Sequence, residues 1–313
     1  MAVSIPGYQQ DLPDEMVLGY IAWYTITHPK VAHEELVEWI DELGLSPSIV
    51  SKTGPRTGDA FKRACRYSER KGVPIPGSEN TVNIMFRSVA TTTTEVERHM
   101  VAEVVDPNGR RLHYHTAATM VLNRKTNVLN TTTNRVAGPL QEILDESLTA
   151  FKANLEDALK YVDPQALRRL IRQQLRLMLA ISVRPKGSVY YFPGAYREQG
   201  EALEELCERI GSGSGFHMLP LVNTRKQRDM IKVAFTKDIH EEAQQVFQDL
   251  RKLSSKKEVQ ASVVAALKSR VDTVERMVDS YESLIDEQLT QAKAEAVMMR
   301  KELMSILMSG AVK

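Results

Sequence analysis

The chain has 313 residues, 42% of them hydrophobic, and its 41 Lys and Arg against 40 Asp and Glu leave a formal net charge of only +1. That length suffices for two or three units with cores of their own, unstapled by metal or disulfide, and the cysteines, Cys65 and Cys207, lie far apart with no Cys or His at metal-binding spacing, which removes paired-thiol and zinc-finger chemistry and makes a reducing cytoplasm the expected compartment. No run approaches the roughly eighteen uncharged apolar residues of a membrane helix, and the first residues lack the basic-then-apolar order of an export signal, so neither a membrane span nor secretion is expected.

The near-neutral total hides a segregation of charge along the chain. Residues 1–45 carry Asp11, Asp14, Glu15, Glu34, Glu35, Glu38, Asp41 and Glu42 against Lys30 alone. Within them Leu36, Val37, Ile40 and Leu43 recur at helical steps and Gly44 follows, which predicts an amphipathic helix with a glycine stop. Over residues 46–78 the sign reverses: Lys52, Arg56, Lys62, Arg63, Arg66, Arg70 and Lys71 face only Asp59 and Glu69, and a basic helix is predicted near 58–70, ended by GVPIPGS. An antiparallel sheet of about three strands comes next, in TVNIMFRSV, EVERHMVAEVV and RRLHYHTAATMVLNRKT, with DPNG as a hairpin turn. Pairing Asp106 with Arg110 puts Val96, Met100, Ala102, Val104, Leu112, Tyr114, Ala118 and Met120 on the core face, and Glu95, Glu97, His99, Glu103, Arg111, His113 and His115 on the other.

After NRVAGPLQ the pattern is helical to about residue 182, with Pro164 opening a fresh helix. GSVYYF reads as a strand, GEALEELCERI as a helix stopped by Gly211, GFHMLPLV as a strand, and residues 224–253 as a helix. In the last sixty residues Val264, Leu267, Val271, Val274, Val278, Tyr281 and Ile285 alternate steps of three and four, as do Leu289, Ala292, Ala296, Met299, Leu303 and Ile306. The four-residue step from Ile285 to Leu289 reads as a stutter in one long helix, packed in a dimeric coiled coil or folded back on its own chain. The expected fold is therefore α+β in three parts: a helical and antiparallel sheet unit over 1–137, an α/β unit over 138–253, and a long coiled-coil helix over 254–313.

Five features invite a functional reading. Between residues 164 and 197 there is no acid, while Arg168, Arg169, Arg172, Arg176, Arg184, Lys186 and Arg197 accumulate. At ~100° per residue the first four fall within roughly a quarter of a helix circumference, a positive stripe that either meets acids from another segment or awaits a polyanion such as nucleic acid. Arg63, Arg66 and Arg70 form a second basic block, and helix, turn, basic helix, hairpin is also the order of a winged helix, although SPSIVSKTGPRTG has two prolines and little helical period. Tyr190, Tyr191, Phe192, Tyr196, Phe216 and His217 flank Arg184–Lys186 and either pack in the core or stack bases. His113 and His115, with Glu103 across and His99 diagonal, have the spacing of a metal site but sit on the solvent side of the sheet, where such residues need no ligand. Finally, GSGSG at 211–215 follows a helix and precedes a strand, the wrong order for a phosphate loop, so no nucleotide fingerprint is present.

The segments GPRTGDAFKRACR, RHMVAEVVDPNGRRLHYHTA and RPKGSVYYFP resemble an uncharacterised family of bacteriophages and some bacteria and archaea, over residues 50–230 or so. The resemblance implies a cytoplasmic, mobile-element protein and carries no activity or catalytic residue. The residues themselves lead to a non-enzymatic oligomer without cofactor or metal. Its basic residues Arg63, Arg66, Arg70, Arg168, Arg169, Arg172, Arg176, Arg184 and Lys186 are expected to engage nucleic acid or another polyanion, and Val264, Leu267, Val271, Val274, Val278, Tyr281, Ile285, Leu289, Met299 and Leu303 to join copies. The alternative is a structural protein whose basic blocks bind the acidic N-terminal segment of a neighbouring subunit.

Overall fold

The computed structural model of the chain describes residues 13–27, 29–50, 55–136, 138–184, 188–254 and 260–308. In order they form β1 (Val17–Thr25), α1 (His33–Glu42), α2 (Thr57–Ser68), β2 (Arg70–Pro74), β3 (Thr81–Thr91), β4 (Glu95–Val105), β5 (Arg111–Asn123), β6 (Leu129–Thr133), α3 (Pro139–Lys160), α4 (Pro164–Leu177), β7 (Ile181–Ser182), β8 (Val189–Pro193), α5 (Arg197–Ile210), β9 (Gly215–Val222), α6 (Arg225–Ser254), α7 (Ala261–Ile285) and α8 (Thr290–Met308). The architecture is α+β with two antiparallel sheets. No helix among the described residues is long and apolar enough to cross a membrane. The chain divides into two compact units, one of Met1–Thr27, Ile40–Ile49 and Arg168–Lys313, the other of His28–Trp39 and Val50–Leu167.

The second unit is a five-stranded meander, β2-β3-β4-β5-β6, with α2 and α3. Its core is apolar and aromatic: Phe151 stacks on Phe86 at 5.3 Å and meets Phe61 edge-on at 5.7 Å. The DPNG turn forms as its residues dictate, with Gly109 at φ +81° and the Asp106 carboxylate accepting from the N–H groups of Asn108 and Arg110. Beyond the turn the simple phasing fails, because bulges interrupt β4–β5 pairing between Val104 and Val105 and between Met100 and Val101. Glu103 therefore lies opposite Tyr114, and His113 opposite Val104. Leu112 and Tyr114, expected in the core, are exposed, whereas Glu103 is buried and held by Asn83 and Arg111.

The first unit has a four-stranded sheet in the order β7-β8-β1-β9. Its β1, which the sequence pattern does not announce, lies between β8 and β9 and pairs antiparallel with both. Gly19 makes that close approach possible, since a Cβ there would stand 2.3 Å from the carbonyl oxygen of Phe192. On this sheet rest α6 and α7, and α8 packs against both helices. Tyr281 stacks on Phe235 at 4.3 Å and meets Tyr191 edge-on at 6.2 Å. The two buried hydroxyls donate to the carbonyls of Leu179 and Leu18, so neither aromatic is left with an unsatisfied polar atom.

The single long C-terminal helix expected from the heptads is two helices. Asp286 adopts the left-handed conformation, φ 57° and ψ 37°, and ends α7, and Glu282 turns back to accept the N–H of Leu289 and an ion pair from Lys293, which caps the start of α8. Those two contacts hold the Glu282 carboxyl below its ordinary range. The seam closes within the chain: Val264, Leu267, Val271, Val274, Val278, Tyr281, Ile285, Leu289, Met299 and Leu303 are all buried in one core with Ile231, Phe235, Ile239, Val246 and Leu250 of α6. Ion pairs cross the same junctions, from Arg270 to Glu242 and Asp249 and from Arg300 to Asp272 and Glu275. These positions accordingly have no apolar surface left for an interchain coiled coil. Replacing Val274, 2% exposed, with Glu buries an unpaired charge in that core and is expected to lower folding stability by on the order of 3–5 kcal/mol in urea titration. Unchanged stability together with an altered sedimentation coefficient would instead place the residue between chains.

Candidate functional site

Helix α4 has no acid, and its packing is decided by Leu167, Leu170, Ile171 and Leu175, all buried. The arginines are thereby forced onto the flanks. They do not act as one stripe. Arg168 turns inward and donates to the carbonyl of Ile26, while its own carbonyl accepts Nε of Arg172 at 3.2 Å. Arg169, Arg172, Gln173 and Arg176, at i, i+3, i+4 and i+7, form the next row and line a pocket of about 720 Å³ within the first unit. Ser182 and Tyr190 of the sheet, Asp238, Glu241, Glu242 and Gln245 of α6, and Ser269, Arg270 and Thr273 of α7 complete the lining.

Charge is divided across this pocket. Arg169, Arg172 and Arg176 are exposed and make no ion pair among the described residues. Opposite them, Glu242 is already paired with Arg270, whereas Asp238 and Glu241 have no ion pair among the described residues. Burial pushes the Asp238 carboxyl up to about 6, and the neighbouring Glu242 and Glu241 add to the shift. A backbone N–H of Ser182 and the Arg176 charge oppose it. At the sheet wall Tyr190 stacks with Tyr24 at 6.1 Å. Burial, helped by Tyr190, pushes the Tyr24 hydroxyl up to about 12 against the pull of Arg172 and Arg168, so it stays protonated near neutral pH.

The other residues singled out by sequence are scattered. Arg63 is tied into the second unit, with its side chain 12% exposed, donating to the carbonyls of Ala158 and Tyr161 and pairing with Asp163 at 3.4 Å. Arg66 is exposed over the ring of Tyr67, and Arg70 is exposed with Glu146 at 3.8 Å. Arg184 is exposed on the first unit, and Lys186 lies outside the described residues. Tyr191, Phe192 and Phe216 are core residues, Phe192 stacking on Tyr20 at 5.5 Å, while His217 is exposed beside Trp23. Among the described residues no group of three or more His, Cys, Asp or Glu could hold a metal ion, and His99 pairs instead with Glu97. Sequence reasoning missed Tyr24, Asp238 and Glu241, which only the tertiary fold brings to the arginines; the one local signal was the polar flank Asp238, Glu241, Glu242, Gln245 beside the apolar stripe of α6.

The Asp238 environment has a measurable sign. Its folded pKa lies above the unfolded value of about 3.9, so the folded state takes up the proton more readily, and stability falls as pH rises through the window from about 4 to about 6. Asn at 238 retains an acceptor for the Ser182 N–H and removes the charge. Asp238→Asn is therefore expected to raise the melting temperature at pH 7 and to match the native protein below about pH 4. A lower melting temperature at pH 7 would mean that the ionised carboxylate stabilises the fold.

No curated protein and no solved structure matches the chain. A family of unknown function, DUF6744, matches over residues 17–312, which takes in both sheets, the pocket and the C-terminal helices. The chain belongs to this family.

Proposed function

We propose that the protein is a non-enzymatic binding protein that engages nucleic acid through the arginine row of α4. The carrying observation is that Arg169, Arg172 and Arg176 share one helix flank, exposed and without ion pairs among the described residues, beside the ring of Tyr190. Guanidinium groups in that state repel one another and gain most from phosphate, which they can meet with forked hydrogen bonds. An aromatic wall beside the row favours a single strand, whose bases are free to stack. Within the same unit the exposed Arg184 is a further phosphate ligand. Burial pushes both the Cys65 and Cys207 thiols up to about 12, so neither is poised as a thiolate nucleophile. With this reading goes the setting that the resemblance implies, a cytoplasmic protein of bacteriophages and of bacteria or archaea.

A second reading, an interaction protein assembled from copies of itself, is favoured by α8. Its inner face is buried, yet Val297, Met298, Met304, Leu307 and Met308 are exposed on the outside.

Arg172→Gln with Arg176→Gln separates the two. The apolar face of α4 is untouched, so the fold should persist. Binding of a labelled single strand should weaken alike across sequences, and the slope of log affinity against log salt should flatten by about 1.4, at ~0.7 per lost phosphate contact. Unchanged binding with a changed oligomeric state would give the lead to the second reading.

A further inference from the structure

We infer that the pocket beside α4 holds a single nucleotide whose base carries an exocyclic amine, phosphate toward the arginine row and base toward the α6 carboxylates. The inference rests on the nucleic-acid reading of α4 and adds a ligand of defined chemistry to it. Size is the first argument: about 720 Å³ lies within the roughly 300–1,000 Å³ of small-ligand sites, and a duplex cannot enter such a space.

Polarity is the second. A site for a bare anion would be cationic all round, whereas here Arg169, Arg172 and Arg176 stand on one wall while Asp238 and Glu241 stand on another. An inorganic phosphate at the arginines leaves Glu241 without a donor and is repelled by both carboxylates. The best occupant is anionic at one end and donates hydrogen bonds at the other, and carboxylates accept from base amino groups in just this way. In the same lining Tyr190 offers a ring, stacked on Tyr24 and suited to lie against a planar base. Thymine presents a carbonyl where adenine and cytosine present an amine, so it would point an acceptor at the carboxylates. Discrimination against thymine follows from the same geometry.

Calorimetric titration of the full chain with dAMP, dTMP and inorganic phosphate at pH 7.5 and low salt is the test. The expected order is saturable dAMP binding, dTMP weaker by about tenfold, and phosphate weaker still. Glu241→Gln, at an exposed position, should shrink the dAMP to dTMP ratio to near one without loss of fold, and Asp238→Asn should do the same. Absence of saturable dAMP binding by about 5 mM, or equal affinity for dAMP and phosphate, would overturn the inference. The two claims fail separately. If the Arg172→Gln, Arg176→Gln variant loses strand binding while dAMP does not bind the native protein, the pocket assignment falls and the α4 reading stands. If that variant binds strands as the native protein does, the α4 reading falls whatever dAMP does.

Discussion

Burial of one stripe on α6 is the constraint on which the first unit depends. Ile231, Phe235, Ile239, Ala243, Val246, Leu250 and Leu253 follow helical steps, and all are buried in the core they share with α7, α8 and the sheet. At ~25 cal/mol per Å² of apolar surface, a stripe this long and continuous outweighs any single polar contact in the unit. It also fixes what lies beside it. Once the stripe faces inward, Asp238, Glu241, Glu242 and Gln245 must flank it, and Asp238 is pressed into a partly buried position that raises its proton affinity. Stability of the helical layer thus sets the acidic wall of the pocket.

The opposite wall arises by the same logic from α4. Its apolar residues demand burial, no acid interrupts them, and the arginines have only the flanks to occupy. The fold absorbs Arg168 through the Ile26 carbonyl, as it absorbs Arg63 in the other unit through Ala158, Tyr161 and Asp163. Buried guanidinium groups need such partners because the cost of leaving them unpaired is several kcal/mol. Arg169, Arg172 and Arg176 are left outside that arrangement, and their exposure is what makes them candidates for an external anion. Interhelical pairs elsewhere, such as Arg300 with Asp272 and Glu275, show that the same chain places carboxylates beside arginines where the helices meet.

Much of this was legible in the sequence where a local rule governed the outcome. Periodicity located α1, α2, α5, α6 and the strands β3, β4, β5, β8 and β9, and Asp106 with Gly109 fixed the hairpin turn. Local rules fail where a choice is settled by distant residues. The bulges opposite Val104 and Met100 add a residue each to β5 and cannot be read from alternation, so Tyr114 moved out to the face that carries Glu103. A four-residue step between Ile285 and Leu289 serves equally for a stutter and for a reversal; Asp286, a residue that tolerates the left-handed conformation, with Glu282 as a cap, turned it into a reversal. The arginine row was visible as a stripe, but the inward turn of Arg168 and the opposing acids were not, because Ile26 and Asp238 are remote in sequence.

In the proposed function an anionic strand lies along the exposed row of α4 and against Tyr190. Ultraviolet cross-linking of a short single-stranded oligonucleotide to the full chain, with the modified peptides mapped by mass spectrometry, tests it without any substitution. Adducts are expected in the peptides that carry residues 169–176 and Tyr190, suppressed by raising the salt. Adducts confined to other segments, or adducts at these peptides that persist unchanged at high salt, would contradict it.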